Sequence, residues 1–107
     1  MSTRASIRFV DEYGDTIYVY RHSDGYPSGD ILKDLRMVID TSYNRWSGAE
    51  MGQVVARFFG LTFQPSDRLQ DYEVTNGIHG DEDYHYFVKW DDETKKYIIG
   101  YDEQDED

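Results

Sequence analysis

The stretch RASIRFVDEYGDTIYVYR, residues 4–21, carries two runs of alternating polarity around a break. Ala5, Ile7 and Phe9 alternate with polar neighbours, and after the break Ile17 and Val19 do the same, with Tyr18 and Tyr20 on the opposite side. A period of two marks a half-buried strand, because successive side chains point to opposite faces. Asp11-Glu12-Tyr13-Gly14-Asp15 has turn composition, with a glycine free to take a positive φ. An antiparallel hairpin is expected.

The pattern breaks at His22-Ser23-Asp24-Gly25-Tyr26-Pro27-Ser28-Gly29, where a D-G step and a proline force the chain to turn. Ser28 or Asp30 can then cap a helix, since Ile31, Leu32, Leu35, Val38 and Ile39 recur with a 3.6-residue period. A second helix is expected after Ser47-Gly48, with Met51, Val54, Val55, Phe58 and Phe59 on one face and Gly60 as its stop. Tyr43, Arg45 and Trp46 in the connector predict a packed link. Beyond Pro65, Tyr72 to Thr75 reads as a short strand and Asn76-Gly77 as a turn. Asp83 to Trp90 then sets Tyr84, Tyr86, Val88 and Trp90 against His85, Phe87 and Lys89. Asp91-Asp92-Glu93-Thr94 closes a hairpin onto Lys96 to Tyr101. The expected order is ββααβββ, an α+β two-layer sandwich of an antiparallel sheet and two helices. Residues 1–101 form its single domain and residues 102–107 an acidic, disordered tail.

Composition narrows the function classes. A chain of 107 residues buries only about two-thirds of its unfolded surface, so a site should be shallow. No cysteine is present, which removes disulfides, a thiol nucleophile and every Cys-ligated metal. The start has no apolar leader pattern, and no apolar run approaches the roughly 18 residues of a membrane span. A soluble, cytoplasmic protein of a host cell is expected, without contact to a membrane. The formal charge of −11 opposes direct binding of nucleic acid and favours a basic partner. That charge is regional: residues 1–60 hold eight acids and seven bases, residues 61–107 fourteen acids and four bases.

Thr3-Arg4, then Tyr20-Arg21-His22-Ser23-Asp24-Gly25-Tyr26-Pro27, then Asn76-Gly77-Ile78-His79-Gly80 with Tyr84-His85-Tyr86, resemble a family of small phage and prophage proteins. That family opens with T-R, carries a Y-R-H-x-D-G-Y-P box and has a later N-G-I-x-G segment. The chain departs from it at Ser23, where members often carry Trp. The resemblance implies a mobile-element origin, where small acidic proteins commonly block host defences, and it carries no mechanism with it.

Three chemistries are worth weighing. First, Asp81, Glu82, Asp83, Asp91, Asp92 and Glu93 fall on expected turns, with Tyr84, Tyr86, Tyr97 and Tyr101 nearby as anchors. Carboxylates pair with Arg and Lys, and tyrosine gives rigid contact area, so an outward acidic surface could occupy the basic groove of a host nucleic-acid-binding protein. The plain alternative is a solvated face with ordinary half-buried sheet tyrosines. Second, Arg4, Arg8, Arg21 and His22 could gather the phosphates of a nucleotide signal while Tyr20, Tyr26 or Trp46 stacks on its base, with Asp24 beside them. There the plain alternative is that Asp24-Gly25 makes a tight turn and Pro27 directs the chain into the helix. Third, His22, His79 and His85 with Asp24, Asp81 and Asp83 have no diagnostic metal spacing. No nucleophile, phosphate-loop or metalloprotease motif occurs, so no enzyme, cofactor or metal is expected. A non-enzymatic acidic inhibitor or adaptor is the leading expectation. A nucleotide-binding sponge and a structural or accessory oligomer stand behind it, and a homodimer is compatible with each.

Overall fold

The computed structural model describes residues 3–42, 51–62 and 72–103. The elements follow the expected order: β1 (Ala5–Val10), β2 (Thr16–Arg21), α1 (Ile31–Ser42), α2 (Met51–Thr62), β3 (Tyr72–Thr75), β4 (Tyr84–Asp91) and β5 (Lys96–Glu103). The link carrying Tyr43, Arg45 and Trp46 lies outside the described residues.

Each hairpin forms for a local reason. Between β1 and β2 the buried Asp11 carboxylate accepts the N–H groups of Tyr13 and Asp15 at 2.9 and 3.0 Å, and Gly14 takes φ +87°. Between β4 and β5, Asp91 accepts from Glu93 N–H and from the Thr94 hydroxyl, and Lys95 turns the chain at φ +58°. An Asp that bonds the backbone two residues on is the standard device for such turns.

The sheet order is β3-β2-β1-β4-β5, and here the structure departs from the expected all-antiparallel sheet. β1 runs parallel to β4, with Ala5 opposite Tyr84 and Val10 opposite Lys89. The reason is topological. β3 pairs antiparallel with β2, so β3 and β1 point the same way. Residues 76–83 then double back across the sheet before β4 joins the free side of β1 in that same direction. The sheet is mixed.

One face carries the core. Ala5, Ile7, Phe9, Val19, Tyr86 and Val88 meet Ile31, Leu35, Val38, Val54 and Phe58 from the helices. The Phe58 ring lies 5.5 Å from Phe9 and 4.7 Å from Tyr72. Burying one such side chain stabilises the fold by roughly 1.5–3 kcal/mol, which is why these helices stay on this face. α2 continues to Thr62, past the expected stop at Gly60, because Leu61 still packs on the core and the Thr62 hydroxyl bonds Phe58 O. β5 likewise runs through Asp102 and Glu103, beyond the expected end at Tyr101. Residues 104–107 lie outside the described residues.

Candidate functional site

Neither helix covers the second face of the sheet, and the strand register decides what it displays. Side chains opposite one another in register stand on the same face. Arg8 on β1 therefore sits between Tyr18 on β2 and Phe87 on β4. The next row places Ser6 between Tyr20 and His85, with Asp102 of β5 beyond His85. The Ser6 hydroxyl and His85 Nδ1 are 2.9 Å apart. Gly100 stands opposite Phe87, and a Cβ there would collide with the Phe87 ring. The missing side chain leaves room for the tip of that ring over β5. Together Ser6, Arg8, Tyr18, His85, Phe87 and Asp102 border a cavity of about 290 Å³, and exposed Ile78 overhangs it. Arg8 is exposed and makes no ion pair among the described residues.

Ile78 belongs to the crossover 76–83, and the crossover is held down by the acids expected to face outward. Glu82 is 3% exposed, and its two carboxylate oxygens accept His79 N–H and Gly80 N–H, both at 2.7 Å. Asp81 accepts the Tyr20 hydroxyl at 2.9 Å and lies 3.6 Å from Arg4 Nε. Asp83 accepts Arg4 N–H at 3.2 Å. The His79 ring stacks on Tyr20 at 3.9 Å. Burial, and then the Asp81 hydrogen bond, push the Tyr20 phenol up to about 12. Glu82 is thus a buried fastener of the loop, whereas Asp81 and Asp83 bond it and remain exposed.

The remaining expected docking residues are dispersed. Asp91, Asp92 and Glu93 sit at the other end of the eight-residue strand β4, roughly 25 Å from Asp83 at about 3.3 Å per residue. Among the described residues these acids do not form a single row. Asp92 accepts from Trp90 Nε1 and from Lys95, whose hydrogen bond is the main cause holding its carboxyl below the usual range. Tyr86 and Tyr97 are core residues, and the Tyr86 hydroxyl donates to Gly25 O at 2.6 Å. Burial, with Asp11 and Glu12 nearby, pushes Tyr97 up to about 12. Tyr84 is half-buried, and only Tyr101 is well exposed, at 46%.

The phosphate-gathering set also divides. Arg21 faces the helices, 5% exposed, and donates to Ser23 O and to the Tyr72 hydroxyl, while Tyr72 donates to Asp34 at 2.7 Å. Its guanidinium lies 4.8 Å from the Tyr72 ring centroid. His22 pairs with Glu73 at 2.9 Å, and Arg4 with Asp81. Asp24 takes φ +56°, and Gly25 N–H bonds Thr3 O at 2.9 Å. Gly25 presses on Ala5 so closely that a Cβ would not fit. Tyr26 is partly exposed beside this turn. The D-G-Y-P box thus clamps the chain between β2 and α1, and of the four basic residues Arg8 alone reaches the cavity.

The alternation of residues 4–21 and 83–90 already put Arg8, Tyr18 and Phe87 on the side away from the core. Their convergence depends on which strands are neighbours, a fact that no local pattern carries. Among the described residues no three His, Cys, Asp or Glu side chains converge on a metal-sized point, and no helix is long and apolar enough to cross a membrane. The described residues define a small α+β protein with a mixed five-stranded sheet, one face of which neither helix covers and which carries an indentation. Comparison with protein-family models, curated proteins and solved structures finds no match.

Proposed function

We propose that this protein is a binding module whose uncovered sheet face takes a small planar ligand bearing an anionic group, of nucleoside monophosphate type. The observation that carries the reading is Arg8, set between Tyr18 and Phe87 at the cavity and left without an ion pair among the described residues. A guanidinium fork matches a phosphate or carboxylate with two parallel hydrogen bonds. Aromatic walls suit a base, whose stacking contributes about 1–3 kcal/mol. The Ser6–His85 pair adds a polar contact on the cavity wall. A volume of about 290 Å³ fits a mononucleotide better than anything larger, being at the small end of ligand clefts. The ligand is held and not transformed. Calorimetric titration with a panel of linear and cyclic nucleoside monophosphates should find one that binds in the micromolar range. Arg8→Ala should lose at least about tenfold of that affinity, the equivalent of 1.4 kcal/mol. No heat from any member of the panel would overturn the reading.

A second reading keeps the acidic inhibitor or adaptor docking on a basic protein. It is favoured by one observation, that parallel pairing of β1 and β4 brings both hairpin turns to the same end of the sheet. Exposed Glu12, Asp15, Asp92 and Glu93 gather there. Association steered by such charge should slow steeply as salt rises. Binding that is indifferent to salt, or to reversal of Asp92 and Glu93, would remove it.

A further inference from the structure

We infer that the outer edge of β5 is a self-association surface, through which two copies of this chain pair antiparallel into one continuous sheet. β5 ends the sheet, and among the described residues no strand pairs on its outer side. Edge strands are normally blunted by shortness, proline, bulges or charge. β3, at the opposite edge, is four residues long and carries exposed Glu73. β5 is eight residues long, has no proline, and exposes Ile98 and Tyr101 at 44% and 46%. Its charges are confined to its two ends.

The register follows from symmetry. A two-fold axis perpendicular to the sheet keeps each face on its own side, so only residues of equal parity can stand opposite across the junction. Centring the pair on Ile99 places Lys96 opposite Asp102 of the second copy, and Asp102 opposite its Lys96. The same register sets Tyr97 against Tyr101 on the helix side. On the uncovered face it sets Ile98 against Gly100, where the Phe87 ring of the second copy fills the space. Centring on Ile98 or Gly100 makes no opposite-charge pair among residues 96–102. Lys96 and Asp102 make no ion pair within the described chain, so both remain available. The two Arg8 cavities would then open on the same side of a ten-stranded sheet, five strand spacings or roughly 24 Å apart.

The test needs no ligand, so it stands or falls apart from the nucleotide reading. Sedimentation equilibrium of the full chain over a rising concentration series should approach twice the 12.6 kDa chain mass. K96D and D102K change exposed positions, and each should be monomeric over that range, since like charges then face one another twice. An equimolar mixture of the two variants should recover the doubled mass, because each mismatch is repaired in the mixed pair. A wild-type chain that stays at the monomer mass overturns the inference. So do single variants that still dimerise, and so does a mixture that fails to associate.

Discussion

Glu82→Gln separates a surface acid from a structural one. Wild-type Glu82 is nearly fully buried, and both of its oxygens accept backbone N–H groups of the crossover at 2.7 Å. Glutamine has almost the same shape but offers one acceptor, and its amide N–H₂ would face the other backbone donor. One charge-assisted bond is lost, worth roughly 1.5–3 kcal/mol, and one backbone N–H is left facing a second donor across a part-buried contact. A net cost of about 2–3 kcal/mol follows, which at about 4 °C per kcal/mol for a domain of this size lowers Tm by roughly 10 °C. Thermal unfolding followed by circular dichroism, with urea midpoints at constant m, would measure it. Glu93→Gln is the control, because its exposed side chain at the hairpin tip should change stability by less than about 0.5 kcal/mol. If Glu82→Gln melts within about 1 °C of wild type, the carboxylate does not fasten the crossover and the account of that segment fails.

Arg21→Ala should also act on stability, costing about 3 kcal/mol, because it strips a buried cation from Asp34 and the Tyr72 hydroxyl. Arg8→Ala should be near neutral in the same melt, and a reversed order of the two would contradict the assignment of Arg21 to the helix face. At high pH, Tyr20 and Tyr97 are held up to about 12 by burial, and burial raises Tyr72 and Tyr86 further, against an ordinary value near 10. Folding favours their neutral forms, so this contribution is complete below about pH 10 and disappears as pH climbs towards about 12. Ultraviolet titration should find these four lagging among the ten tyrosines while the fold persists, and uniform ionisation near pH 10 would refute it.

Much of the architecture is legible locally. Strand alternation in residues 4–21, the helical period of Ile31 to Ile39 and the aspartates at the turns each act over a few residues, so their signal survives in the sequence. Which strand neighbours which is a different kind of information. Alternation assigns Phe87 to a face and leaves open whether it stands beside Arg8 or beside nothing, and the parallel pairing of β1 with β4 supplies that answer. The acid-rich composition was the more misleading signal. Asp11, Asp91 and Glu82 look like surface charge in a tally, yet each accepts backbone N–H groups in a turn or loop. Spacing offered a clue at Asp11 and Asp91, where an Asp stands at the head of a turn. At Glu82 it offered none, because the bonded N–H groups precede the side chain.

The ladder between β1 and β4 joins residues 79 apart, from Ala5 to Tyr84. Closing a loop of that length costs roughly 4 kcal/mol of chain entropy before any contact returns it. The two hairpins on either side need closures of only a few residues and can form quickly by themselves. The β1–β4 seam is therefore where the slow step of folding belongs. Substitutions along it, such as Ile7→Val or Val88→Ala, should retard refolding, whereas equally buried changes on the far side of α1 should mainly hasten unfolding.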